Sequence, residues 1–306
     1  AGHILGSTAV VLDIEEKDKK YRLWFSGDIG RPNLPILRDP VYPDKADYLI
    51  MESTYGDRPH ESPAQAHEDL QKIISQTLNR NGKVIIPSFA VGRTQELVYA
   101  IHRMMDAGDI PSVPVFVDSP LAVNVTDVFR ANPECFDQEA LAMLEDDKHR
   151  AALGFDMLTY VRDVEESKAL NKRKDAMIII SASGMMEAGR ILHHVRHNIH
   201  DPNSTLMLVS WMAPHTLGRR MLEGETQVKI YGQKYERKMQ VARVKGFSAH
   251  AGQHGLRDYA LGLKGQVKEV FLVHGEKRGA DPLRAILADG GMDNVHFPER
   301  GWTFEI

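Results

Sequence analysis

The chain has 306 residues, of which 42% are hydrophobic and 26% charged, with a formal net charge of −4. This composition is typical of a soluble globular protein with a large core, and its acidic balance excludes a general attraction to nucleic acid. The single Cys135 excludes an intrachain disulfide, and no apolar run approaches the roughly 18 residues that span a bilayer. We therefore expect a cytoplasmic protein with no membrane partner.

The N-terminal part predicts β structure. Two alternating segments, STAVVLDIEE and YRLWFSGD, flank the charged stretch KDKK and indicate a β-hairpin. The apolar run DYLIMES follows and predicts a third strand. The chain therefore opens with a strand-rich region.

From Ser62 the pattern changes to alternating helices and strands. SPAQAHEDLQKIISQTL has helical periodicity, a Ser at the N-cap and Pro at the first helical position. The apolar strands KVIIPS, VPVFVDS, AMIIIS and TLMLVS alternate with further helical segments. This alternation predicts an α/β block with a parallel sheet.

The C-terminal part returns to β-rich character. Alternating strands surround a polar turn in QVKIYGQKYERKMQVARVKGFS, and EVFLVHG predicts a strand between two helices. Because both ends are β-rich and the block between them is α/β, we interpret the block as an insertion into a domain built from both termini.

Four segments end an apolar strand and follow it at once with an acidic residue or a histidine beside Gly or Ser. They contain Asp28, Glu52, His250 and His274. Ligands of α/β proteins gather at the carboxyl ends of strands, so these side chains can converge on one cleft. Histidine and carboxylate ligands suit zinc. Any one such residue is more often a cap or turn residue, and spacing alone leaves that alternative open.

The order of several motifs resembles the β-CASP branch of the metallo-β-lactamase superfamily, whose members include RNA-processing hydrolases. The resemblance covers essentially the whole chain and rests on GHILGS, SGDIGR, ESTYGDR, PSFAVGRTQEL, DSPLAVNVT, SASGMMEAGR, TLGRR, FSAH and LVHGE. It implies an α/β fold in which a metallo-β-lactamase αββα core, incomplete at the N-terminus, carries an inserted parallel-sheet β-CASP domain. The implied boundaries are 1–54 and 245–306 for the core and 55–244 for the insertion.

The resemblance also implies roles for individual residues. His3, Asp28 and His274 match zinc-ligand motifs of a site for two ions, with Asp28 as the bridging ligand. His250 matches the residue expected to protonate the leaving oxygen, and Glu52 the carboxylate that holds it.

Two departures from the family pattern stand out. The HxHxDH signature, which supplies most zinc ligands in the family, does not occur in this sequence. We therefore expect the chain to be a fragment whose first half-domain precedes His3. In addition, Gly252 stands where relatives commonly have Asp, which removes one expected support of His250.

Candidate phosphate-binding groups lie at the turns from strand to helix. In PSFAVGRTQE and SASGMMEAGR, backbone N–H groups at helix starts could hold a phosphate, with tight packing of Gly and Ser as an equal alternative. The candidates are Ser88, Arg93, Ser181, Ser183, Gly184 and Arg190. Asp118 is predicted to be a helix cap. His193 and His197 have a spacing that can bind metal, although a solvated or phosphate-facing helix is favoured.

The implied function is a zinc-dependent ribonuclease that hydrolyses RNA phosphodiester bonds by a two-metal mechanism, with RNA as partner and a homodimer left open. One alternative is a non-catalytic remnant that binds RNA or protein. Another is a phosphodiesterase that acts on DNA or a small phosphodiester. The choice between endonuclease and 5′-exonuclease is also open.

Overall fold

The computed structural model describes residues 1–145 and 153–305 and has a mixed α/β fold. Strands and helices occur throughout, and the strands are β1 (Val10–Glu16), β2 (Lys19–Phe25), β3 (Tyr48–Glu52), β4 (Lys83–Pro87), β5 (Val115–Asp118), β6 (Leu158–Tyr160), β7 (Met177–Ser181), β8 (Thr205–Leu208), β9 (Gln227–Ile230), β10 (Gln233–Glu236), β11 (Gln240–Arg243), β12 (Glu269–Val273) and β13 (Val295–His296).

The helices lie between these strands, and they are α1 (Pro63–Asn79), α2 (Arg93–Asp106), α3 (Pro120–Ala131), α4 (Gln138–Glu145), α5 (Val164–Leu170), α6 (Ile191–Asn198), α7 (Leu217–Leu222), α8 (Gln253–Leu261) and α9 (Lys277–Asp289). A 3-10 turn covers Pro133–Cys135. Among the described residues, none of the helices combines the length and the apolar character that crossing a membrane requires.

The chain divides into two compact units. The first unit joins Ala1–His60 to Ser248–Ile306, and the second unit is Glu61–Phe247. The N- and C-terminal segments thus build one unit, and the central segment builds the other. The boundaries expected from the sequence, after residues 54 and 244, fall a few residues before those of the units.

The first unit contains a five-stranded sheet in the order β1-β2-β3-β12-β13. β1 and β2 form the predicted antiparallel hairpin, whereas the other neighbours pair in parallel. Leu49 and Met51 of β3 and Leu272 of β12 are fully buried together with Leu256 of α8 and Leu283 of α9. Three neighbouring strands, β2, β3 and β12, therefore run in one direction and end at the same edge of the sheet.

The second unit contains a six-stranded parallel sheet in the order β11-β8-β4-β7-β5-β6. Its central strands β4 and β7 are buried along their whole length, which explains their continuous apolar sequences. Helix α1 starts as predicted, with the Ser62 hydroxyl accepting from the backbone N–H of Gln65 at 3.2 Å. β9 and β10 form a separate antiparallel hairpin. The alternation in sequence thus gives the predicted parallel sheet.

Candidate functional site

Acidic and imidazole side chains meet at the edge where β2, β3 and β12 end in the first unit. Asp28 lies just beyond β2, Glu52 is the last residue of β3, and His274 follows β12. His250 comes from the segment before α8, where it forms a β-bridge with Gly30. Neighbouring parallel strands bring three of these side chains together, and a short bridge brings in the fourth.

His3 joins this group through close backbone pairing at the N-terminal segment. Gly2 forms an antiparallel bridge with Ile29, and the N–H of Gly30 donates to the carbonyl of Ala1 at 2.8 Å. A Cβ atom on Gly30 would stand 2.0 Å from the carbonyl oxygen of Gly2, so only glycine permits this approach. The segment holds Nε2 of His3 at 3.9 Å from the carboxylate of Asp28.

The nitrogen and oxygen atoms of these residues are spaced as possible metal ligands. Asp28 presents Oδ2 to His3 and Oδ1 to Nδ1 of His274, the latter at 3.4 Å. Two overlapping triads each have their ligand atoms within 4.8 Å of one another, namely His3–Asp28–His250 and Glu52–His250–His274. Imidazole nitrogens with carboxylate oxygens form a donor set that fits zinc. Burial, then the charge of His250, lowers the pKa of His3, which favours the neutral imidazole that binds metal.

Glu52 and His250 form the most buried ion pair of the site. Nδ1 of His250 donates to the Glu52 carboxylate, at 3.0 and 3.1 Å from its two oxygens. Only 1% of the Glu52 side chain is exposed, and the N–H of Ile29 donates to Oε1 at 2.6 Å. Burial is the largest influence on the pKa of His250 and lowers it, but the hydrogen bond and charge of Glu52, with the charge of Asp28, outweigh burial and raise the pKa.

His60 supports the same segment and was not predicted from the sequence. Its Nε2–H donates to the backbone carbonyl of His250 at 3.0 Å, and its ring packs edge-on against Tyr55. A Cβ on Gly252 would approach Cδ2 of His60 to 3.0 Å. Burial, then the charge of Arg31, lowers the pKa of His60 to about 4, so the ring is neutral at neutral pH. Because Gly252 has no side chain, it leaves the space that the His60 ring occupies. The unusual glycine at position 252 was the sequence signal connected with this contact.

Ser88 and Arg93, two predicted phosphate contacts, belong to the second unit, and their side chains lie in its interior. Ser88 is fully buried, accepts from the Thr94 hydroxyl at 3.1 Å and donates to the Phe89 carbonyl at 3.2 Å. Arg93 forms an ion pair with Glu96, and only 10% of its side chain is exposed. The Ser88 hydroxyl is thus engaged within the unit, whereas Nε of Arg93 is buried without a hydrogen-bond partner among the described residues. The predicted phosphate contacts of both side chains stay predictions.

Ser181 and Arg190 belong to a buried network around Asp118. The Ser181 hydroxyl donates to the Asp118 carbonyl at 2.7 Å, and Arg190 donates to Oδ1 of Asp118 at 2.7 Å. Oδ2 of Asp118 accepts from Nε2 of His194 at 2.6 Å and from the Ser167 hydroxyl at 2.5 Å. These donors of Ser181 and Arg190 thus serve a buried carboxylate and a backbone carbonyl, and the predicted phosphate contacts of both residues stay predictions.

Asp118 is the centre of that network and not a helix cap. Ser119 caps α3, with its hydroxyl accepting from the N–H of Ala122 at 3.3 Å. The Asp118 side chain is fully buried. Burial, its largest influence, raises the pKa of Asp118, but the hydrogen bonds from His194, Ser167 and Arg190 outweigh burial and lower the pKa. The carboxylate is therefore charged, and it joins α5 and the N-terminal part of α6 to β5.

Ser183 and Gly184 form the turn that follows β7. The Ser183 hydroxyl is exposed but accepts from the N–H groups of Glu187 and Ala188 at 3.2 and 3.3 Å. A Cβ on Gly184 would lie 2.9 Å from the Phe89 ring. Tight packing thus explains both residues locally, and their predicted phosphate contact stays a prediction.

Comparisons with known proteins agree with this architecture. A family model described as Beta-Casp domain matches residues 94–221, and one described as Zn-dependent metallo-hydrolase RNA specificity domain matches residues 234–298. The chain belongs to the β-CASP family of metallo-β-lactamase-type proteins.

Three curated relatives illustrate the similarity. A protein named Ribonuclease TTHA0252, from Thermus thermophilus, is 36% identical over 295 residues, which cover 96% of this chain and 65% of the relative. An RNase J-like protein from Methanocaldococcus jannaschii is 31% identical, with 90% of this chain and 62% of the relative covered. Transcription termination factor FttA from Methanothermobacter thermautotrophicus is 29% identical, with 90% and 44% covered. The chain thus spans from 44% to 65% of the length of these relatives.

Proposed function

We propose that this chain contributes the active site of a metal-dependent ribonuclease that hydrolyses phosphodiester bonds in RNA. The observation that carries the proposal is the convergence of His3, Asp28, His250 and His274 at one sheet edge, with Glu52 buried beneath His250. Support for RNA as substrate comes from relatives named ribonuclease and RNase J-like, and from the RNA specificity domain matched at 234–298.

His3, Asp28 and His274 are the residues proposed to hold zinc. Asp28 turns one carboxylate oxygen towards each of the two imidazoles, an arrangement that suits a carboxylate shared by two ions. Bound zinc would supply Lewis acidity that stabilises the negative charge building on the phosphoryl group. The orientation of these ligands comes from the strand ends and from the Gly2–Ile29 bridge.

His250 is proposed to protonate the leaving oxygen. A carboxylate can only accept hydrogen bonds, so Glu52 fixes the proton of His250 on Nδ1 and leaves Nε2 for the substrate. The raised pKa keeps a larger fraction of the imidazole charged near neutral pH, which is the form that donates a proton. Such a general acid contributes on the order of 10²–10⁴-fold to the rate.

A cleavage assay with matched substrates tests the proposed function. The protein expressed from its complete reading frame, supplied with zinc, should cleave a short end-labelled single-stranded RNA, and His250→Ala should remove most of that activity. DNA of the same sequence and a chromogenic phosphodiester serve as parallel substrates. Cleavage of either parallel substrate without cleavage of RNA would contradict RNA as substrate. Zinc-loaded protein that binds RNA and cleaves no substrate would instead favour a non-catalytic role.

A further inference from the structure

An exposed basic and aromatic surface in the second unit plays no part in the site described above. It combines α6 with the β9–β10 hairpin, and we call it the hairpin surface, consisting of His193, Arg196, Lys229, Tyr231 and Lys234. The hydroxyl of Tyr231 lies 3.1 Å from Nε2 of His193, and the Arg196 guanidinium lies over the Tyr231 ring at 5.9 Å. These contacts join the tip of the hairpin to α6.

Two lysines face each other across the hairpin. Lys229 and Lys234 are directly paired in the antiparallel register, so both extend from the same face, and both are exposed. The opposite face packs inward through the buried Val228 and Ile230. Neither lysine forms an ion pair with any residue in the described ranges. Like charges placed opposite each other destabilise a hairpin, so this pair is better explained by an anionic partner than by folding.

Tyr231 occupies an unfavourable backbone position at the tip of the hairpin. Tyr231 and Gly232 form the two-residue turn with φ of 50° and 78°. Both positive angles correspond to a type I′ turn, for which Asn-Gly is the preferred pair, whereas a bulky side chain at positive φ is strained. Even so, 54% of Tyr231 is exposed. Burial of the ring therefore does not explain why a strained tyrosine stands at this position. A role of the exposed ring at the surface does explain it.

We propose that the hairpin surface binds single-stranded RNA, with a base stacked on Tyr231 and backbone phosphates beside Lys229 and Lys234. Aromatic rings that accept bases, next to cations that follow the phosphates, are the recurring means of binding single strands. Charge complementarity favours this partner, because α6 contains no acidic residue and the two hairpin strands contain one, Glu236. The inference rests on the proposed function for RNA as the ligand, and it adds a second contact beyond the reacting groups.

The substitution Tyr231→Asn separates binding from folding. It removes the ring and restores the preferred Asn-Gly turn, so the melting temperature should not fall. Loss of one stacked base should lower affinity roughly 5- to 100-fold. The measurement is fluorescence anisotropy of a labelled single-stranded RNA with the full-length protein in a chelating buffer, which prevents cleavage, together with thermal unfolding of each variant.

The lysine pair is tested by the salt dependence of the same binding reaction. Lys229→Ala with Lys234→Ala should reduce the slope of log affinity against log salt by about 1.4, since each phosphate contact on a single strand contributes about 0.7. Lys168→Ala is the matched control, because Lys168 is exposed in the same unit but ion-paired with Glu165. The control should keep the affinity and the salt slope of the wild type.

The outcomes separate this inference from the proposed function. If the wild type cleaves RNA while the Tyr231 and lysine variants bind RNA with unchanged affinity and slope, the hairpin surface is not an RNA site and the ribonuclease proposal stands. If the wild type neither binds nor cleaves RNA, both proposals fail together. Reduced affinity in the variants with an unchanged melting temperature supports the hairpin surface.

Discussion

Nδ1 of His250 lies 3.0 Å from the carboxylate of Glu52, which is almost completely buried. The carboxylate also accepts from the backbone N–H of Ile29, so its position is fixed from a second direction. This pair determines which nitrogen of His250 carries the shared proton and which one faces outward.

Glu52→Gln should weaken RNA cleavage less than His250→Ala does. The amide keeps the size of the side chain but loses the charge that raises the pKa of His250 and favours its Nδ1–H form. The measurement is kcat on labelled RNA for wild type and both variants, with the zinc content of each. A variant as active as the wild type would contradict the orienting role of Glu52.

Gly30→Ala should lower both stability and bound zinc. The new Cβ would collide with the backbone of Gly2 at 2.0 Å, so the segment that carries His3 must move away from Asp28. Thermal unfolding and metal analysis measure the two effects. Gly262→Ala is the matched control in the same unit, because its Cβ would meet no atom closer than 3.6 Å. Equal zinc content in Gly30→Ala and wild type would show that His3 is not a ligand.

The contact between His60 and His250 should matter for activity more than for folding. His60→Ala removes the hydrogen bond to the His250 carbonyl, and its expected effect is a lower kcat with near-normal zinc content. Gly252→Asp tests the same contact from the other side, since its Cβ would approach His60 to 3.0 Å and displace the ring. The combination of both changes should recover part of the activity lost in Gly252→Asp. Additive losses would contradict the steric link.

Asp118→Asn should destabilise the second unit. An amide cannot accept from His194, Ser167 and Arg190 together, and loss of one partner from a buried ion pair typically costs about 3–5 kcal/mol. Asp127→Asn is the control, because Asp127 is half exposed and its ion pairs lie at the surface, where they contribute little. Urea unfolding measures both. A free energy of unfolding that changes equally in the two variants would contradict the anchoring role of Asp118.

The same network predicts a direction for the pH dependence of stability. The pKa of Asp118 is lower in the folded protein than in the unfolded chain, so its contribution is complete above the ordinary Asp pKa and disappears as pH falls through the lowered value. The stability difference between wild type and Asp118→Asn should therefore shrink on acidification. A difference that grows with falling pH would mean that the carboxyl is protonated in the native protein.

Much of the fold was predictable because its signals are local. The continuous apolar runs of β4 and β7 and the Ser62–Pro63 start of α1 can be read from a few neighbouring residues. The strand-end positions of Asp28, Glu52 and His274 follow from the same patterns, whereas His3 was indicated by family resemblance alone.

The unpredicted features depend on partners far apart in the chain. His60 contacts a carbonyl 190 residues away, and His194 bonds to Asp118 across 76 residues. The ion pair of Arg190 with Asp118 was not predicted, because an arginine at a helix start has the same local sequence signal whether it faces solvent or a buried carboxylate. Only the three-dimensional arrangement distinguishes these cases.

His274 is proposed to hold metal and His250 to act on the substrate, although the position of His250 within both triads makes it a geometrically possible ligand. Zinc content and RNA cleavage should be measured together for His250→Ala and His274→Ala in protein expressed from the complete reading frame. His250→Ala should lose on the order of 10²–10⁴-fold in rate with nearly unchanged zinc content, whereas His274→Ala should lose zinc as well. Loss of zinc from His250→Ala, or full activity in that variant, would contradict the assignment of His250 as the proton donor.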